Sequence, residues 1–64
     1  MFYIIVYGKW GNCIIAENGE PTWSLDNAMT FKTSQDAASY INDNWKAWGE
    51  DADSFRIYEK EKTL

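Results

Sequence analysis

Few side chains in this sequence could perform chemistry, because it contains no histidine and a single cysteine, Cys13. Histidine is the commonest general base and metal ligand in proteins, so its absence argues against hydrolytic triads and zinc sites. Cys13 opens a strand-like run of isoleucines and has no histidine to activate it, which indicates a buried apolar side chain rather than a nucleophile. We therefore predict a protein that is not an enzyme and that uses no cofactor or metal.

Three carboxylates lie close together in the sequence, at Glu50, Asp51 and Asp53. A calcium-binding loop that began at Asp51 would need a glutamate at its twelfth position, where Lys62 stands instead. We interpret the stretch as a solvated acidic loop. One alternative remains open, in which these and the other acidic residues imitate a row of DNA phosphates and block a DNA-binding protein.

Tyrosine is the residue type whose placement most favours a binding surface. Tyr3, Ile5 and Tyr7 share one side of a β-like run, and Tyr58 has the corresponding place in the last run of the chain. Tyrosine is a frequent anchor of protein interfaces, and its ring can also stack on nucleic-acid bases. The candidate partner-binding residues are Tyr3, Ile5, Tyr7, Trp10 and Tyr58, together with the acidic Glu50, Asp51 and Asp53.

Charge favours a protein partner over a nucleic acid. Ten acidic residues against six basic ones give a formal net charge of −4, whereas a general nucleic-acid binder normally carries a basic face. The expected partner is another protein or a second copy of the chain, which would make a homodimer. The alternative is a single-stranded nucleic acid that stacks on the tyrosines, with Arg56 and Lys60 on its phosphates.

Three β-like runs must position the tyrosines. Residues 2–7 are β-branched and aromatic and apolar on both sides, as a central strand requires. Residues 8–12 carry the glycines of a hairpin connection, residues 13–16 form a second strand, and residues 55–60 alternate as the last one. We interpret residues 17–22 as an exposed loop, since Pro21 argues against another hairpin.

Residues 33–49 indicate one long helix. Thr33 and Asp36 have the spacing of a capping box, and Gly49 can adopt the left-handed conformation that ends a helix. Asn44 falls within the apolar stripe and needs a backbone partner if it is buried. The apolar residues of that stripe are Ala37, Tyr40, Ile41, Trp45 and Trp48.

The segment before the helix admits two interpretations. Residues 26–29 form a short helical turn followed by an extended stretch, or residues 28–32 form another strand. The sequence therefore predicts an α+β domain of the order β-β-α-β. It has a three-stranded antiparallel sheet in the order 2-1-3, or a four-stranded sheet in the second interpretation, with one helix packed on one face.

The middle third of the chain carries the pattern W-S-x-D-x-A-x-x-F-x-T-x-x-D-A-x-x-Y-I, which runs from Trp23 to Ile41. This pattern, preceded by an aromatic-rich hairpin, resembles many short uncharacterised proteins encoded in bacteriophage genomes. The resemblance implies a small phage accessory protein that modulates a host factor, and it carries over no catalytic residue. The residues of the pattern also have structural explanations of their own, in which Trp23 and Phe31 are core aromatics.

The sequence shows no secretory signal pattern and no apolar run near the ~20 residues that cross a membrane. We therefore expect a cytoplasmic protein, located in the host cytoplasm if the phage resemblance holds. A chain of 64 residues makes one small domain, and a core of this size needs dense aromatic packing or a second subunit.

Overall fold

The computed structural model describes residues 1–9 and 11–60. The four described strands form one antiparallel sheet in the order β3-β2-β1-β4, with helix α1 packed on one face. The α+β class and the central position of the first strand are therefore confirmed. The elements are β1 (Phe2–Gly8), β2 (Gly11–Ile15), β3 (Pro21–Thr22), α1 (Ser34–Trp48) and β4 (Phe55–Glu59), with 3₁₀ turns at Leu25–Asn27 and Ala52–Ser54.

The sheet differs from the prediction at one edge. Pro21–Thr22, expected in an exposed loop, pairs with β2 and adds a strand outside the predicted 2-1-3 order. A turn at Asn18 and Gly19 makes this possible, because Gly19 has a φ of 83° and the Asn18 side chain accepts the Glu20 N–H at 3.1 Å. Pro21 is tolerated because an edge strand can present its donorless nitrogen to solvent.

The segment before α1 follows the turn interpretation. A 3₁₀ turn covers Leu25–Asn27, one residue earlier than expected, and the residues after it form isolated bridges rather than a strand. Met29 donates its N–H to the Ile15 carbonyl at 2.9 Å, while Phe31 and Phe2 exchange two backbone hydrogen bonds at 2.8 Å. This segment therefore ties the end of β2 to the start of β1.

The core lies between α1 and the sheet. The sheet contributes alternate residues from its central strands, as the period of two requires. Ala37 is fully buried, and its small side chain lets the first turns of α1 approach the strands closely. The buried core cluster is Ile4, Val6, Cys13, Ile15, Ala37 and Phe55, and the half-buried Phe31, Tyr40, Ile41, Trp45, Trp48 and Ile57 pack against it.

The helix begins and ends where its capping residues predict. The Thr33 hydroxyl accepts the N–H of Asp36 at 3.1 Å. Gly49 has a φ of 71° and donates its N–H to the Lys46 carbonyl at 3.0 Å. Half-buried Asn44 finds the required backbone partner within its own helix, donating from Nδ2 to the Tyr40 carbonyl at 2.8 Å.

Replacement of Thr33 by alanine tests the helix start. We expect Thr33→Ala to lower the free energy of unfolding by about 1 kcal/mol, because the Asp36 N–H loses its acceptor. Urea denaturation followed by circular dichroism measures this. Thr33→Ser keeps a hydroxyl at the same place and should stay within a few tenths of a kcal/mol of wild type. Equal losses in both variants would contradict the capping role.

Candidate functional site

The sheet face opposite α1 is not covered by any described element. Ile4 and Val6 are 1% exposed beneath the helix, so the residues between and beside them project to the other side. Strand register then places the neighbours, since Tyr3 pairs with Tyr58 and Ile5 with Ile14. We call this surface the tyrosine face, and it consists of Tyr3, Ile5, Tyr7, Ile14 and Tyr58.

The three tyrosines of this face form one connected cluster. The rings of Tyr3 and Tyr58 stack with their centroids 5.9 Å apart and their planes 27° from parallel. The phenol oxygens of Tyr7 and Tyr58 lie 2.6 Å apart in a hydrogen bond. Tyr7 and Tyr58 are each 39% exposed. The structure thus brings together four of the sequence-predicted residues, counting Ile5 between Tyr3 and Tyr7.

The hydrogen bond to Tyr58 raises the pKa of the Tyr7 phenol above its ordinary value, with smaller contributions from desolvation and from charge on Tyr58. Arg56 acts in the opposite direction and lowers that pKa. A phenol whose pKa is higher in the folded chain stabilises the fold fully below the unfolded pKa of about 10. This stabilisation is lost as the pH rises through the folded pKa of Tyr7.

Removal of the Tyr58 hydroxyl tests this link. We expect Tyr58→Phe to lower the pKa of Tyr7 toward its ordinary value, because the main cause of the shift is gone. Site-resolved NMR titration of labelled tyrosine rings measures it. Tyr3→Phe is the matched control and should change the Tyr7 pKa less, since Tyr3 contributes the smallest of the effects. An unchanged Tyr7 pKa in Tyr58→Phe would show that the two phenols do not pair.

Arg56 lies beside the tyrosine face, on the same side of the sheet as Ile5, and its side chain folds back on the backbone. Its Nη1 donates to the carbonyl oxygens of Asp53 and Phe55, the latter at 3.0 Å. The other guanidinium nitrogen atoms keep donors for a partner. The nucleic-acid alternative places Arg56 and Lys60 on phosphates. In the structure, Nη1 of Arg56 is used instead on backbone carbonyl groups at the start of β4.

The acidic candidates separate into two kinds. Half-buried Glu50 accepts the backbone N–H of Lys9 at 2.9 Å, which ties the chain after α1 to the β1–β2 hairpin. Asp51 and Asp53 are exposed at the start and in the middle of the second 3₁₀ turn. In residues 1–9 and 11–60, no group of three acidic, cysteine or histidine side chains could hold a metal ion.

The Glu50 carboxylate also explains the glycine at the end of β1. A Cβ atom built on Gly8 would overlap the Glu50 carboxylate. Any larger residue at Gly8 must push the carboxylate away from Lys9. Burial raises the pKa of the Cys13 thiol, and the Glu50 carboxylate adds a smaller contribution in the same direction. Cys13 is buried, as the sequence predicts.

A double-mutant cycle measures the contact between Gly8 and Glu50. We expect Gly8→Ala to lower the free energy of unfolding by about 1 kcal/mol, the usual value of one lost hydrogen bond. In a Glu50→Ala background the same change should cost almost nothing, because the displaced carboxylate is absent. Chemical denaturation of the four proteins gives the coupling energy. Additive losses would contradict the steric account.

Two surface features escaped the sequence reasoning. Trp23, expected in the core, is 68% exposed, because it directly follows the edge strand β3 and has no described element beyond it. A shallow cavity of about 410 Å³ lies between α1 and the turn before β3. The sequence signal for this cavity was Asn44, a polar residue within the apolar stripe of α1. Its lining residues are Gly19, Glu20, Pro21, Tyr40, Asn44, Ala47 and Trp48.

Trp10, the remaining candidate, lies outside the described residues. No helix in the described part of the chain is both long and apolar enough to cross a membrane. No protein-family model, curated protein or solved structure matches this chain. The resemblance to phage accessory proteins therefore stays a prediction.

Proposed function

We propose that this protein is a non-enzymatic binding module that docks another protein on its tyrosine face. One observation carries the proposal. Tyr3, Tyr7 and Tyr58, contributed by two neighbouring strands, are held together by a ring stack and a 2.6 Å hydrogen bond on a face that no described element covers.

Order within the cluster favours binding. An interface side chain that must be immobilised costs about 0.5–1.5 kcal/mol of affinity. Tyr58 is already in contact with Tyr3 on one side and with Tyr7 on the other, so much of its side-chain entropy is lost on folding and not on binding. Each ring presents an apolar body with a polar hydroxyl, a combination that is enriched at protein interfaces.

Charge supports a protein rather than a nucleic acid as the partner. The formal net charge is −4, and binding to phosphates is driven largely by basic side chains that displace counterions. Arg56, which shares the face, uses its Nη1 on backbone carbonyl groups. The exposed acidic residues Asp51 and Asp53 add a second, separate surface suited to a basic partner.

Size indicates a reversible complex. The tyrosine face lies on β1, β2 and β4, which have seven, five and five residues. At about 3.3 Å per residue and about 4.8 Å between strands, its area is roughly 300 Å². A standard protein interface buries about 800 Å² on each partner, and smaller ones are typical of transient signalling contacts. A small accessory protein that modulates a host factor, as the phage resemblance implies, would act through such a contact.

Substitution of Tyr7 tests the face. The measurement is photo-crosslinking and affinity capture with the purified protein as bait. The wild-type protein should recover a partner, and Tyr7→Ala should recover about tenfold less of it or lower, as expected for an anchor residue. Leu25→Ala is the matched control, because Leu25 is also 39% exposed but lies in a 3₁₀ turn. It should recover the partner like wild type, with circular dichroism confirming the fold of both variants.

Other outcomes of the capture experiment separate the alternatives. Equal recovery with wild type and Tyr7→Ala would remove the tyrosine face from the proposal. Recovery of single-stranded nucleic acid, weakened by salt and by Tyr3→Ala, would establish the alternative function. Loss of a DNA-binding partner on substitution of Asp51 and Asp53 would favour the acidic mimic.

A further inference from the structure

Strand β4 forms an open edge of the sheet. In the order β3-β2-β1-β4 it has β1 on one side and no described strand on the other. The opposite edge is β3, which has two residues and begins with Pro21, a residue without an N–H donor. Strand β4 has five residues and no proline. Open edges of this kind can pair with another chain.

The backbone groups of β4 can be assigned to its two sides. Lys60 donates its N–H toward β1, to the Met1 carbonyl at 2.6 Å. Alternate residues of an antiparallel strand direct both backbone groups to the same neighbour, so Arg56 and Tyr58 also face β1. Ile57 and Glu59 face outward, where the described residues offer their N–H and C=O groups no strand to pair with.

The start of this edge is protected by the chain itself. Phe55 donates its N–H to the Ala52 carbonyl and accepts Arg56 Nη1 at 3.0 Å. Native edges are commonly blunted by charged side chains in this way. Among the described residues, no contact of this kind reaches the next outward residues, Ile57 and Glu59.

We propose that the free edge of β4 pairs antiparallel with the same edge of a second copy of this chain, about a two-fold axis at Ile57. Ile57 then lies opposite the partner's Ile57, and Glu59 lies opposite the partner's Phe55. Arg56 lies opposite the partner's Tyr58 on the tyrosine face. The pairing is made by the backbone edge of β4 and does not depend on the proposed function, although Tyr58 belongs to both the edge strand and the tyrosine face.

Self-complementarity favours a second copy as the occupant. In the register centred on Ile57, Arg56 meets a tyrosine ring, which is a favourable cation–π pair. The register centred on Tyr58 would set Arg56 opposite the partner's Lys60, and the register centred on Glu59 would set two glutamates face to face. Like charges directly opposite are destabilising, so the sequence of β4 selects the first register.

The pair would have consequences for the tyrosine face. Joining two sheets edge to edge places the two faces side by side and doubles the open area from roughly 300 to roughly 600 Å², closer to the roughly 800 Å² that each partner buries in a standard interface. Arg56 must leave the Phe55 carbonyl when the pair forms, because that carbonyl then accepts the partner's Glu59 N–H. The Phe55 N–H stays on the Ala52 carbonyl, so Phe55 and the partner's Glu59 form one hydrogen bond instead of two. This competition makes the association weak and concentration-dependent.

Proline at Glu59 tests the edge. Glu59→Pro removes an outward donor but no hydrogen bond to β1, so the fold should persist by circular dichroism. Sedimentation equilibrium should show the average mass of wild type and Glu59→Thr rising toward twice the monomer mass with concentration. Glu59→Pro should remain monomeric. A wild type that is monomeric throughout, or a Glu59→Pro protein that associates like wild type, would overturn the proposal.

A disulfide test checks the register without relying on proline. Residues 56 and 58 face each other across the proposed pair at about 4.5 Å between Cα atoms, within the range of a disulfide. Mixing Arg56→Cys with Tyr58→Cys under mild oxidation should cross-link the two proteins several-fold faster than either protein alone, while the buried Cys13 stays unreacted. Equal rates in the mixture and in the single proteins would count against this register. Association abolished by Tyr7→Ala but not by Glu59→Pro would place the dimer on the tyrosine face instead.

Discussion

A single described helix covers one face of a four-stranded sheet, and the rest of the structure depends on this imbalance. Strand β1 is the element most affected by this imbalance, because it is central and its two sides have different surroundings. Ile4 and Val6 are buried beneath α1, while Tyr3 and Tyr7 project from the side with no cover. A tyrosine suits such a side because its ring gains from contact with neighbouring rings and its hydroxyl keeps a hydrogen bond.

The same imbalance accounts for the weaker points of the fold. The helix makes its close contact through Ala37, and its larger apolar residues remain half-buried around that point. Beyond the flank of the helix, toward β3, the layer is incomplete and a cavity of about 410 Å³ remains. At the C-terminal end of α1, Glu50 adds a stabilising contact, because its hydrogen bond to the Lys9 N–H holds the chain after α1 against the β1–β2 hairpin.

Local signals in the sequence were sufficient for the helix and for the strand faces. The Thr33 cap, the Gly49 end and the alternation of β1 each depend on residues a few positions apart, and the structure agrees with all three. Pro21 and Trp23 were misread because their environment depends on the position of β3 at an edge, which neighbouring residues do not encode. The Tyr7–Tyr58 hydrogen bond required the register of β1 against β4, so the sequence could place both residues on one face but could not pair them.

The sequence separation within the tyrosine cluster determines when the tyrosine face can form during folding. Tyr7 and Tyr58 are 51 positions apart, and the loop between them must close before either ring has its partner. The hairpin and the helix are formed by local contacts, whereas β4 joins β1 through long-range contacts, so we expect β4 to join the sheet later in folding. A partly folded chain that has lost β4 would keep most of its secondary structure and none of the cluster. Binding through this face would therefore be restricted to the completely folded molecule.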